Sequence, residues 1–112
     1  MKASLVLRVV LGPRASLGPG KVRLLEALDR AGSISAAARH LGMSYRRAWL
    51  LIDAMNRTMR KPVVETALGG RGGGGARLTP VGREVIAAYR GLERRARRTL
   101  RRELAGMRRL ID

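Results

Sequence analysis

The 112-residue chain contains no cysteine, which excludes disulfides and any thiolate metal site. Its one histidine, His40, has no close acidic cluster, so no metal site is expected around it. Acids are few: Glu26, Asp29, Asp53, Glu65, Glu84, Glu93, Glu103 and Asp112 are scattered along the chain. No nucleophile–base set can be assembled from them, so the pattern argues against an enzyme and calls for no cofactor. No apolar run reaches the roughly 18 residues of a membrane span. Leu5-Val6-Leu7 is followed by Arg8 and lacks the longer core of a secretion signal. These absences predict a soluble cytoplasmic protein with no membrane partner.

What is abundant is positive charge. Lys and Arg number 24 against 8 Asp and Glu, a net charge of +16. Such an excess favours a polyanion: DNA, RNA or an acidic membrane surface. With 46% apolar residues the chain is not a disordered basic tail. Its length suits a single domain over 1–112 with one modest core, short enough for dimerisation to help.

The stretch Ser33 to Leu51, SISAAARHLGMSYRRAWLL, has the cadence of a helix-turn-helix. Ala37, Ala38 and Leu41 fall on one helical face. Gly42 stands where a left-handed residue closes the helix, and Ser44 can cap a second helix opening Tyr45-Arg46-Arg47. The small pair Ala37-Ala38 suits two helices crossing steeply through a tight turn. Such a motif puts the first turns of its second helix into the major groove of double-stranded DNA. The rival reading is two core-packing helices of another all-α domain.

The flanking segments complete a pattern. Ser4 to Leu11 is short, β-branched and apolar, and Gly12-Pro13 stops it, so a strand is expected there. Residues 13–20 are expected as a loop. Helices are expected over about Lys21 to Ala31, Ser35 to Leu41 and Tyr45 to Met59. The first buries Leu24, Leu25, Leu28 and Ala31, and Gly32 ends it. The third buries Ala48, Ile52, Met55 and Met59, with Trp49 in or half in the core. Between Val63 to Thr66 and Ala76 to Leu78 lie Ala67, Leu68 and then seven residues, 69–75, of which only Arg71 is not glycine, a hairpin. Thr79-Pro80 then opens a helix running to near Ile111. Its apolar positions, Val85 to Ile111, recur at a mean spacing of about 3.7, wider than the 3.5 of a left-handed coiled coil. Gly91 and Gly106 are its weak points, and its outer face is a row of arginines. The result is a mainly α (α+β) chain: a winged helix-turn-helix with an N-terminal strand, a two-stranded wing and a long C-terminal helix. The helix-turn-helix occupies 33–60, the wing 63–79 and the last helix 80–111.

The glycine-rich tip could instead be a nucleotide phosphate loop. That needs Gly-Lys-Ser/Thr opening a helix, and Ala76-Arg77-Leu78 stands there. Glycines otherwise let the backbone approach a phosphate and leave Arg71 free to enter a minor groove. Arg46 and Arg47 are the best candidate base or phosphate readers, since Arg donates bidentately to guanine. Positive charge near a helix start is mildly unfavourable otherwise. Ser44 caps and can also touch phosphate. Tyr45 either contacts the DNA backbone or packs inward. Arg57, on the outer side of the third helix, and Arg77, on the return strand, complete the DNA-binding set.

GSISAAARHLGMS followed by LTPVG resembles the LysR-type and ModE-type bacterial regulators. SYRRAWLLIDAMN followed by VVETALGGRGGGGARLTPVGREVI resembles the ModE type more closely, over about residues 15 to 95. The resemblance implies a homodimeric, sequence-specific transcriptional regulator on the bacterial nucleoid, with the third helix in the major groove and the wing on the backbone or in the minor groove. It implies a dimer interface from the N-terminal strand and last helix: Leu5, Leu7, Val9, Tyr89, Leu92, Leu100 and Leu104. ModE-type regulators also carry molybdate-binding domains. This sequence ends within or just after the linking helix, so a molybdenum link is inferred from the DNA-binding half and no molybdate site is expected in this chain. The expectation is either a natural stand-alone form or a truncation, and the absence of a tag or linker at Ile111-Asp112 mildly favours the first. The alternative function is an architectural protein that coats DNA through charge alone.

Overall fold

The computed structural model describes residues 3–67 and 75–111. In chain order the elements are β1 (Val9–Gly12), β2 (Ala15–Leu17), α1 (Pro19–Ala31), α2 (Ile34–Leu41), α3 (Tyr45–Thr58), β3 (Val64–Thr66), β4 (Ala76–Leu78), α4 (Pro80–Thr99) and α5 (Arg101–Arg108). The three-helix core, the β3–β4 wing and the closing helices give a winged helix-turn-helix, as the hydrophobic pattern predicts.

The N-terminus departs from the expected single strand. Only Val9–Gly12 pairs, and its partner is β2, antiparallel, with Val9 opposite Leu17 and an irregularity between Val10 and Gly12. The expected loop over 13–20 therefore holds a second strand and the start of α1. Three residues with one buried apolar side chain, Leu17, are too short to show a period. Pro19 occupies the first turn of α1, where its missing N–H costs nothing, and Val22 donates to the Gly18 carbonyl at 3.2 Å.

The core centres on α1. Val22, Leu24, Leu25 and Leu28 are fully buried there, whereas Ala31 is exposed. α2 packs between α1 and α3. Ala37 and Ala38, at most 2% exposed, sit in the buried part of α2, where small side chains let the helices close together. Gly42 has φ 68°, and Met43 N–H reaches back to the Ala38 carbonyl at 3.0 Å. This is the left-handed helix end that only glycine adopts without strain. Ser44 then accepts a hydrogen bond from Arg47 N–H at 3.1 Å and starts α3.

The last helix is not continuous. Leu100, with ψ 15°, separates α4 from α5. Neither Gly91 nor Gly106 marks the break. Arg97/Arg101 and Arg98/Arg102 are like-charged pairs one turn apart that straddle it, and such pairs weaken a helix locally. Gly82, buried in the first turn of α4, lies so close to the Val63 carbonyl that a Cβ would collide with it. The close approach lets α4 seat on the root of the wing.

Candidate nucleic-acid interface

The first turn of α3 stands clear of the body. Ser44, Tyr45, Arg46 and Arg47 are all exposed, Tyr45 by 54%. The buried stripe Ala48, Ile52 and Met55 leaves α3 from its inner side, so the helix presents its N-terminal outer face to solvent. Arg46 and Arg47 flank a shallow concavity with Ser44, Leu50 and Leu51. Neither makes an ion pair among the described residues, so both guanidinium groups keep their full complement of donors. Trp49 lies next to them, 43% exposed rather than in the core, and Leu50 is 48% exposed.

The other candidate cations are held differently. Arg57 Nε lies 2.9 Å from Asp53 one turn earlier. Arg77 faces Glu65 across the wing, 3.6 Å away in a solvent-exposed pair. Arg71 lies outside the described residues.

The wing is fastened to α3 by a residue that the sequence reading passed over. Asn56 Oδ1 accepts from Val63 N–H at 2.8 Å and Val64 N–H at 3.3 Å, and Asn56 Nδ2 donates to the Val64 carbonyl at 3.1 Å. One amide thus satisfies three backbone groups at the root of β3. Its position offered a signal, for it falls one turn after Ile52 on the flank of the buried stripe. On the other strand, Ala76 N–H donates to the Gly32 carbonyl at 2.9 Å, tying β4 to the α1–α2 turn. Thr79 donates to the Pro62 carbonyl at 2.6 Å and accepts from Gly82 N–H at 3.1 Å, joining the end of the wing to the start of α4. Helix-turn-helix and wing root are therefore one rigid unit.

A second missed constellation joins α1 to α4. Arg83 reaches Asp29 at 3.0 Å, and Arg90 grips both Glu26 oxygens at 2.7 and 3.0 Å. Arg90 also reaches Glu93 at 2.7 Å, and Arg97 approaches the other Glu93 oxygen at 3.4 Å. Glu93 is only 4% exposed, yet each of its oxygens meets an arginine. The Arg90 guanidinium holds the Glu26 carboxyl below its usual range, and the two carboxylates raise Arg90 further still. Arg83, Arg90 and Arg97 recur every seven residues, a spacing that keeps them on one helix face.

The residues expected at a dimer interface fall into three groups. Leu5, Leu7, Val9 and Leu104 are half-buried, with Leu7 and Val9 packed on the chain's own core. Tyr89 is inside it, 2% exposed, and its hydroxyl donates to the Leu7 carbonyl at 2.7 Å. Burial pushes its phenol above the usual tyrosine range. Leu92 and Leu100 remain exposed, by 46% and 37%. The faces left open at the N-terminus are instead those of Val6 (73%), Val10 (68%) and Leu11 (56%). An apolar groove of about 330 Å³ runs between Leu11, Val85 and Leu92.

Relatives carry similar sequence over this region. The chain is 53% identical over 79 residues to the molybdenum-pterin-binding protein MopB of Rhodobacter capsulatus, covering 70% of this chain and 29% of that protein. It is 47% identical over 78 residues to the molybdenum transport protein ModE of Azotobacter vinelandii, again 70% of this chain and 29% of that one. To the DNA-binding transcriptional dual regulator ModE of Escherichia coli K12 it is 39% identical over 89 residues, 80% of this chain and 34% of that protein. The chain thus spans about a third of the length of these relatives. The model of the bacterial regulatory helix-turn-helix proteins of the lysR family matches residues 20–83, from the first turn of α1 through the wing into α4, and the chain belongs to that family.

Proposed function

We infer that this chain is a DNA-binding transcriptional regulator that acts as a homodimer, that its role is linked to molybdenum, and that it performs no catalysis. The observation that carries the DNA reading is the first turn of α3: two arginines without acidic partners among the described residues, on a capped helix start held rigidly against a wing. A helix so presented enters the major groove, where Arg46 and Arg47 meet base edges and Ser44 and Tyr45 meet the backbone. Arg57 and Arg77 join as phosphate contacts by exchanging Asp53 and Glu65 for DNA. Arg71 belongs to the same set by its place among the wing glycines. The names of the relatives support the link to molybdenum and to transcription.

Dimerisation is supported by the apolar surface that one copy leaves open at Val10, Leu11, Leu92 and Leu100. Among the described residues no helix is long and apolar enough to cross a membrane, which agrees with a place on the bacterial nucleoid. The net charge of +16 supports a second reading, an architectural protein that coats DNA without a preferred site. Selection from random duplexes at physiological salt separates the two. A two-fold consensus, with a dimer by light scattering at micromolar concentration, supports the regulator. An unselective pool bound by a monomer supports the architectural reading.

A further inference from the structure

We propose that the outer face of α4 and α5 is a second DNA-binding surface, one that holds a stretch of duplex other than the one entered by α3. Arg94, Arg95, Arg98, Arg101, Arg102 and Arg109 are all exposed. Within α4, Arg94, Arg95 and Arg98 share an arc of about 100°, and from Arg101 onward Arg101, Arg102 and Arg109 share an arc of the same width; at the helical rise the stretch is about 22 Å long. The sole acid among residues 94–111 is Glu103, which falls outside the second arc by the same reckoning. None of the six makes an ion pair among the described residues. The arginines on the α1 side of the same helix, Arg83, Arg90 and Arg97, are each matched to a carboxylate. The uncompensated charge is therefore confined to one face. Arg94/Arg98 and Arg98/Arg102 repel one turn apart, which disfavours the helix unless a polyanion neutralises them.

The chemistry of the face selects duplex DNA. A duplex carries about 13 phosphates along 22 Å of axis, enough to meet six guanidinium groups. Single-stranded nucleic acid is held by stacking on aromatic rings, and α5 and the α4 arc carry none. An interfacial membrane helix sets a basic face against an apolar one, and with Leu100 and Met107 exposed on the other side of this segment an anionic membrane is the rival occupant, which competition by vesicles tests. The position of the face selects a second stretch. α3 packs on α2, α2 on α1 and α1 on α4, so two helices intervene between the groove-entering turn and the arginines. A duplex seated on α3 leaves the stripe free for another segment.

The test uses the full chain with Arg94→Gln, Arg98→Gln, Arg101→Gln and Arg102→Gln, which remove charge and keep helix propensity. Protein is loaded on a bead-bound duplex, and capture of a fluorescent duplex of unrelated sequence is measured against salt. The wild type should capture it. The fourfold variant should lose about tenfold or more in capture, with a salt slope lower by about 3 to 4. Its footprint on the first duplex should stay unchanged, which keeps this test separate from the role of α3, and its Tm should hold or rise. In a chain carrying Arg46→Gln and Arg47→Gln, residual duplex binding should persist and should weaken, with a salt slope lower by about 3 to 4, when the four substitutions are added. Undiminished capture by the fourfold variant would overturn the proposal, as would a lowered Tm or residual binding that the four added substitutions leave unchanged. Preferential competition by single-stranded RNA or by anionic lipid vesicles would overturn duplex DNA as the occupant.

Discussion

Two sets of arginines, one at the α1–α4 seam and one at the start of α3, show how the same side chain serves opposite ends. At the seam, Arg90 lies 28% exposed between Glu26 and Glu93, and its donors are spent on them. At α3, Arg46 and Arg47 project with no acid in reach among the described residues. A paired guanidinium in a half-buried seam orients helices, and an unpaired one on a helix start offers its fork to an incoming anion. Residue type does not separate these roles. The distribution of the few acids does.

The largest effect expected from breaking this contrast is on the seam. Arg90→Ala strips Glu93 of its nearest cation while leaving it buried, and should lower unfolding stability by about 3 kcal/mol. Arg102→Ala on the exposed face should change it by less than about 0.5 kcal/mol. Urea unfolding of both variants checks the pair, and equal losses would erase the distinction. Next in size is the link between α3 and the wing. Asn56→Ala leaves Val63 and Val64 N–H and the Val64 carbonyl unsatisfied, at a cost of about 1–3 kcal/mol. Hydrogen exchange should then quicken at Val63 and Val64 before it does in α1. Unchanged protection there would mean that the wing root holds without Asn56.

On the DNA side, Arg46→Ala or Arg47→Ala should cost about 1–3 kcal/mol on a selected site and relax preference at one base position. An equal loss on random DNA would reduce both to phosphate contacts. Acid sharpens the seam further. Because Arg90 lowers the Glu26 carboxyl in the folded chain, the stability it contributes is complete above the unfolded carboxylate value. It is lost as pH falls through the lower folded value, so Glu26→Gln should flatten the acid limb of a stability profile. Tyr89 acts at the other extreme. Its folded value is raised by burial, so the unfolded phenol ionises first and stability should fall as pH rises past about 10. The smallest expected effect is a null. Unpaired surface arginines attract any oxyanion loosely and under strong screening, so molybdate should shift neither DNA affinity nor Tm beyond sulfate at equal ionic strength. A saturable, molybdate-selective stabilisation would show an effector site in this chain.

The amino-acid sequence alone determined the helix-turn-helix, because its signals are local. Gly42 and Ser44 act on neighbours within four residues, and Thr79-Pro80 starts α4 by the same short-range chemistry. The exposure of Arg46 and Arg47 also followed from the buried stripe of their own helix. Only the tertiary structure decided the rest. β2 is too short to carry a period and exists because Leu17 reaches the core beside Leu7 and Val9. The break at Leu100 has no breaker residue. Asn56 gains its meaning from backbone groups eight residues away, and Glu26 finds Arg90 across sixty-four. The pairing of acids with arginines depends on which helix faces meet, a three-dimensional arrangement that no local pattern encodes. That arrangement separates an arginine that holds the fold from one that is free to bind.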